Sequence, residues 1–336
     1  MAVTTISGPN TQFGKNHLIN GEMRVAQRGT SFVASANNDD VYTLDRWNLV
    51  SEGNDIVDVT QSTTVPTGGA LKSIALDVET ANKQFGIIQI IEANNCTGLI
   101  GNEVTFSFKA KVTNARLGDV RAGIIAWSST ADGVTSDIIA TYNDDANPTL
   151  ASNLTFENTP SDLGVTTSWA TYSVTGTIDT GSTANVVVWI GSVDSTTTVG
   201  DFLHITDCQL EIGSNATSFE RESFSVSLAK CQRYFLQENL ENQLHAFNGL
   251  TFTTTAARFL WRFPVTMRTD PTFGSSTASN FEVFQGAGKA VSNLAAQDVN
   301  QEMMAFDATC ASSTEDAAAQ LRANTTSQYV TASAEL

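Results

Sequence analysis

The feature that most constrains this chain is alternation: apolar residues recur at every second position in short runs, and clusters of Gly, Pro, Asn, Asp, Ser and Thr separate the runs. In EVTFSFKAKV, Val104, Phe106, Phe108, Ala110 and Val112 share one face of an extended chain, the pattern of a half-buried strand. WATYSVTGTI places Tyr172, Val174 and Ile178 on one face. NVVVWIGSV alternates Val186, Val188 and Ile190 while its other face is also partly apolar, which predicts a central strand. The stretches VPTGGA, SSTADG, NDDANP and DTGST between such runs are turn chemistry at sandwich-like spacing, and no segment in this region has helix-length periodicity. In GDFLHITDCQLEIG, Phe202, Cys208, Leu210 and Ile212 fall on one parity and Leu203 and Ile205 on the other, so this strand is either packed on both faces or bulged. The fold class that follows is all-β.

One short segment breaks the rule. Phe224, Leu228, Cys231 and Phe235 fall at i, i+4, i+7 and i+11, one stripe of a helix, with Ser223 where an N-cap is wanted and with Gln232 and Arg233 off the stripe. A helix this short is marginal alone, so the stripe must pack on a sheet or on copies of itself. After it, ARFLWRFPVTMR alternates Phe259, Trp261, Phe263, Val265 and Met267, with Pro264 predicting an edge or bulged strand. TFGSS, FEVFQG, EMMAFDAT and SQYVTASAEL are further short strands, and TCASSTEDAAAQLRAN reads as a helical turn or loop. The expected organisation is an N-terminal arm over residues 1–17, a β domain over 18–215, a linker with the short helix over 216–238 and a smaller C-terminal β-sandwich over 239–336.

Charge narrows the partners. With 35 Asp and Glu against 18 Lys and Arg, net −17, the chain is unsuited to neutralising nucleic-acid phosphates or docking on anionic lipid. Its apolar runs are far below the roughly 20 residues of a membrane span, and its N-terminus lacks a secretory pattern, so synthesis in a cytoplasm is expected. Cys96, Cys208, Cys231 and Cys310 are too dispersed for a zinc site or disulfide scaffold. His17, His204 and His245 are isolated, and no hydrolase or nucleotide-binding motif occurs. The carboxylate pairs Asp39–Asp40 and Asp144–Asp145 sit in turns, where they serve solubility, so no enzyme is expected. Acidic loops on a β scaffold can collect oxygens for a structural Ca2+, the one cofactor the composition invites, although no spacing identifies its ligands.

Sugar binding needs flat rings beside amide, carboxylate or guanidinium groups. Trp47, Trp127, Trp169, Trp189, Tyr142 and Tyr172 are the rings of the first domain. Trp189 and Tyr172 lie on strand patterns and read as core; Trp127 and Tyr142 flank turns and are the ligand-binding candidates. Trp47 follows Asp45 and Arg46, a set that reads as an ion pair locking a strand end beside a buried indole.

The ordered set NHLINGEMRVAQRGTSF, YTLDRW, GDFLHITDCQLEIGSNATSFE, LAKCQRYF, FPVTMRTDPTF and terminal AEL resembles the carbohydrate-binding-module-like proteins of bacteriophage tail fibres and prophage tail structures. The chain departs from that pattern at Ala26, where a large aromatic is common, and at SLAK before Cys231, where an acidic run is commoner. The resemblance implies a jelly-roll domain of galactose-binding type, then a short helix, then a C-terminal β domain, in a virion protein that is often trimeric. The expected role is attachment to other tail proteins through the N-terminal arm and display of β domains to host surface glycans. An assembly-only role, as a head decoration, head fibre or baseplate adaptor, is the alternative. In either case the helix stripe and the off-stripe Gln232 and Arg233 are expected to cement domains or a trimer.

Overall fold

The structure is a computed structural model and describes residues 14–243 and 245–336. Most of the expected arm, residues 1–13, lies outside the described residues. The chain divides into two compact units, one reaching Ser227 and including Leu336, the other Leu228–Glu335, so the expected linker is shared between them.

The first unit contains β1 (Ser31–Phe32), β2 (Asn48–Ser51), β3 (Val57–Ser62), β4 (Ser73–Val78), β5 (Phe85–Ile91), the single-turn helix α1 (Ala93–Cys96), β6 (Glu103–Val112), β7 (Val120–Trp127), β8 (Ile139–Thr141), β9 (Thr149–Leu150), β10 (Leu154–Phe156), β11 (Ala170–Thr177), β12 (Asn185–Ser192) and β13 (Phe202–Ile212). One sheet has the order β1-β3-β4-β13-β6-β11 and the other β10-β7-β12-β5-β2, with antiparallel neighbours throughout. They pack face to face as a jelly-roll β-sandwich.

Alternation explains the packing. Val57 and Val59, Ile74 and Leu76, Val104, Phe106 and Phe108 point from the first sheet into a core that Phe85, Ile87, Ile124, Val186 and Val188 complete from the second. Strand β13 joins that core through a bulge between Thr206 and Gln209, with Asp207 at φ 53°. The extra residue resets the parity, so Leu203, Ile205, Cys208 and Leu210 all face inward, and because the outward His204, Thr206 and Gln209 are buried too, the strand is both bulged and packed on both faces. Strand β12 is buried at every position and lies at the centre of its sheet. Its other face, with Ile88, Ile90, Ile125 and Trp189, is roofed by Val134, Ile138 and the β8–β9 region.

Chain outside the strands is tied to this unit. The Asn16 side chain donates to the Cys208 carbonyl (3.0 Å) and accepts from Leu210 N (3.1 Å), and His17 N donates to the Leu210 carbonyl (2.9 Å). Residues 14–17, assigned to the arm from sequence, therefore run along β13. Beyond β13, Arg221 pairs with Glu22 and, at 3.0 Å, with Asp207.

The predicted helix is α2 (Phe224–Gln232), but the stripe does not continue to Phe235. Tyr234 N turns back to the Cys231 carbonyl, and Phe235 opens a strand, because FLQENL finds a sheet partner that a nine-residue helix cannot outbid. Cys231 and Phe235 are buried, Leu228 is half-buried and Phe224 is 45% exposed.

The second unit comprises β14 (Phe235–Leu240), β15 (His245–Thr253), β16 (Ala256–Arg262), β17 (Thr272–Ser275), β18 (Phe281–Phe284), β19 (Gly288–Asn300), β20 (Met303–Cys310), β21 (Ala317–Ala323) and β22 (Gln328–Ser333). Where the sequence predicts a smaller sandwich, β15-β16-β20-β19-β18-β21 close into a barrel, and β14-β22-β17 form a three-stranded sheet. Phe306 sits in the core against Phe247 (5.2 Å, edge-on), Phe259 (5.7 Å) and Phe273 (5.1 Å, stacked). Two local expectations are corrected. The AAAQLRA segment is strand β21, not a helical turn, because Ala319, Leu321 and Ala323 face the barrel core. Strand β16 ends at Arg262, before Pro264, and is flanked by β15 and β20, so the proline marks its end and not a sheet edge.

Candidate functional site

The sequence candidates Trp127 and Tyr142 both lie on the roofed side of the second sheet. Trp127 ends β7, packs half-buried against the outer cluster and donates its indole N–H to the Thr130 carbonyl (2.8 Å). Tyr142 is half-buried just after β8; burial, reinforced by Asp39, Asp40, Glu52 and Asp137, pushes its hydroxyl pKa far up. Asp45, Arg46 and Trp47 are each at most 1% exposed. Asp45 accepts from Gln27 N (2.6 Å) and Gln27 Nε2 (2.5 Å), Arg46 Nη2 donates to the Ile90 carbonyl (2.6 Å), and Trp47 Nε1 donates to the Asn20 carbonyl (3.2 Å). Gln232 and Arg233 are half-buried, and the Arg233 carbonyl accepts from Arg268 N (2.8 Å).

Among the described residues no strand pair covers the outer face of the first sheet around His204. Strand parity aims Phe202, His204 and Thr206 of β13, Lys109 and Lys111 of β6, Ala75 and Asp77 of β4 and Thr171, Ser173 and Thr175 of β11 outward, opposite to their core-facing neighbours. Register places Lys111 and Ala75 on either side of His204, and Asp77 beside Phe202 and Asp58. Trp169, immediately before β11, reaches His204 with ring centroids 6.2 Å apart; Phe202 stacks on the same imidazole at 5.7 Å and 9°. Three rings thus form one surface, with the imidazole in the middle and the other two half-buried.

The polar chemistry of this surface is unfinished. His204 is only 6% exposed, yet its Nδ1 is buried without a hydrogen-bond partner, and so is Oδ1 of the neighbouring Asp77. A buried polar atom left unpaired costs roughly 1–3 kcal/mol, which a hydroxyl-bearing ligand or water recovers. Burial, then the Lys111 charge, lowers the His204 pKa to about 4, so the ring is neutral at physiological pH and offers one donor and one acceptor. Burial, then Glu79 and Asp58, raises Asp77 to about 6. Lys109 is neutralised by Asp207 at 3.0 Å. Rings, a neutral imidazole, a carboxyl and an ammonium group suit a polyhydroxylated ring, apolar on its face and polar at its rim.

From sequence, Trp169 is only one of the available rings and His204 an isolated histidine. The signal for Trp169 was its parity, opposite to core-facing Tyr172. The signal for His204 was hidden by the bulge, which decides which side of β13 faces out. Among the described residues no group of three or more His, Cys, Asp or Glu side chains is placed to hold a metal ion.

No protein-family profile matches the chain, and no curated protein does. Solved structures are similar at low identity. The enzymatically active domain of bacteriophage CBA120 tailspike protein 4 is 16% identical over 59% of this chain and 22% of its own, with a TM-score of 0.35. A structure described as CBM4 is 15% identical over 58% and 98%, TM-score 0.30. The CBM22-1 xylan-binding domain of Paenibacillus barcinonensis Xyn10C is 13% identical over 54% and 94%, TM-score 0.31. The chain thus spans about a fifth of the tailspike chain and nearly all of the other two. Strand pairing, and not these likenesses, defines the fold.

Proposed function

We propose that the chain is a structural protein of a bacteriophage tail, a tail fibre or receptor-binding component, whose first unit binds host surface glycans through the Trp169–Phe202–His204 surface. The observation that carries the sugar-binding part is the three-ring surface on the outer face of the first sheet, with a nearly buried imidazole whose Nδ1 has no partner. The tail assignment rests on the ordered motifs from NHLINGEMRVAQRGTSF to the terminal AEL. In this reading the protein acts in the virion without catalysis, its N-terminus joins it to other tail proteins, and it works as a homotrimer.

Binding of the full chain to an array of bacterial surface glycans tests the site. Trp169→Ala and His204→Ala are expected to weaken any glycan hit roughly tenfold or more, since each removes a stacking or hydrogen-bonding element at the centre of contact. Trp127→Ala is expected to leave that hit unchanged; the reverse result would return the site to the Trp127–Tyr142 side.

The assembly-only alternative draws on a different observation. Strand β11 lies at the edge of its sheet, and its eight residues, ATYSVTGT, include no charge and no proline. Such an edge lacks the usual guards against pairing with another chain. No glycan hit, together with incorporation into particles that is lost on Ser173→Pro, would favour it.

A further inference from the structure

The barrel carries an apolar surface that neither the core nor the proposed sugar site uses. Leu250 (52% exposed), Phe252 (37%) and Leu260 (42%) stand on the outer faces of the adjacent strands β15 and β16. Together with Asn248, Arg258 and Ala305 they line an open hollow of about 360 Å3. Three large exposed apolar side chains on neighbouring strands are a contiguous patch, which on a folded protein marks a contact surface.

Charge identifies the occupant. Arg258 lies at the centre of the patch and pairs with Asp307 through Nε (2.7 Å) and Nη2 (2.9 Å). Its Nη1 also reaches Asp298 at 4.0 Å; that carboxylate is 85% exposed and the guanidinium 42%, so a second copy can approach either. The patch thus carries both members of a pair and is complementary to itself. The rest of the molecule disfavours self-contact elsewhere: residues 1–227 contain 25 Asp and Glu against 11 Lys and Arg, whereas residues 228–335 contain ten against seven. The helix stripe that the sequence offered as a seam has Cys231 and Phe235 buried by their own chain.

We propose that copies of this chain associate through the outer face of β15 and β16. Leu250, Phe252 and Leu260 meet their equivalents around a closed symmetry axis, with Arg258 of one copy beside Asp298 of the next. The inference rests on the self-association part of the function proposed above and is independent of the sugar-binding part.

Light scattering on the full chain across micromolar concentrations tests it. The unaltered protein is expected at a multiple of 35.9 kDa and the Leu250→Asp/Leu260→Asp double variant at one chain mass with an unchanged melting curve. Asp298→Arg, at a site too exposed to affect folding, is expected to raise the dissociation constant about tenfold by setting like charges against Arg258. A single-chain mass for the unaltered protein would overturn the proposal, as would an oligomer that survives the double variant. If the double variant fails to fold, an oligomer unaffected by Asp298→Arg overturns it. Glycan binding by the single-chain variant is read separately, so failure of the interface and failure of the sugar site are distinguishable.

Discussion

Gly249→Ala is expected to destabilise the barrel by about 3 kcal/mol, at the upper end of ordinary overpacking, and to lower its melting temperature by roughly 10 °C or more. A Cβ at this position in β15 would lie 2.0 Å from the Arg258 carbonyl oxygen and 2.7 Å from Phe259 Cδ1. The first obstacle is backbone of the paired strand, so no side-chain rotation relieves it, and the second is a ring with no exposed surface at the aromatic core. Strand β15 pairs with β16 on one side and β21 on the other, so any shift is passed to both neighbours of a closed ring. Gly98→Ala is the control: nothing lies within 4 Å of its added Cβ, and its melting curve should match that of the unaltered chain. Equal melting of the two variants would show that the barrel yields at β15 more readily than its pairing implies.

The second large effect is an inverted response to acid. Asp40, Asp77 and Asp194 each titrate near pH 6 in the fold and not near 3.8. Burial is the leading cause at all three, followed by Asp39 and Asp137 at Asp40 and by Glu79 and Asp58 at Asp77. At Asp194 the Asp119 N–H and Ser192 hydroxyl oppose that burial in part. Asp39 and Asp58 are raised as well, again chiefly by burial. Between about pH 4 and 6 the folded chain holds more protons at these sites than the unfolded chain does, so their contribution to stability is present below pH 4 and is lost as pH rises through 6. A shift of two units is worth at most about 3 kcal/mol per group, and partial exposure reduces it to nearer 1 kcal/mol. His204 and His17 pull the other way, because burial lowers both and the unfolded chain protonates them first. The three carboxyls raised to about 6, with Asp39 and Asp58 shifted the same way, outweigh the two imidazoles, so the first unit is expected to gain stability on going from pH 7.5 to 5. Melting temperature against pH reads this directly. Asp77→Asn should raise the value at pH 7.5 and flatten the slope; a melting temperature that falls steadily toward pH 5 would contradict the account.

Much of the sandwich was legible because a half-buried strand must alternate. Val104 to Val112 announced β6, and the doubly apolar NVVVWIGSV announced a central strand that a roof covers on its second side. The barrel was harder to read for a physical reason: its walls are partly built from alanine. In β21, Ala319 and Ala323 face the core at positions where a sandwich would carry Val or Leu, and GKAVSNLAAQDVN, which forms the longest strand of the unit, has no unbroken alternation of large apolar residues. Closure is also a long-range event, joining β15 to β21 across some seventy residues, and no local pattern encodes it. At the candidate site, the ring types were visible but their company was not. Trp169 and His204 meet because the bulge at Asp207 fixes the side of β13 that faces outward, and a one-residue insertion in a ladder leaves only an ambiguous parity in sequence.

Among the described residues, β6 and β11 of the first sheet present an outer face on which residues point outward by alternation. Ser173, Lys109, Lys111 and His204 each sit between two residues that hold the core. In the proposed reading, selection acting on what this surface binds therefore meets little resistance from selection acting on folding. Descendants of such a gene can drift to new targets through single substitutions at alternate codons, while the intervening codons stay under a constraint of their own.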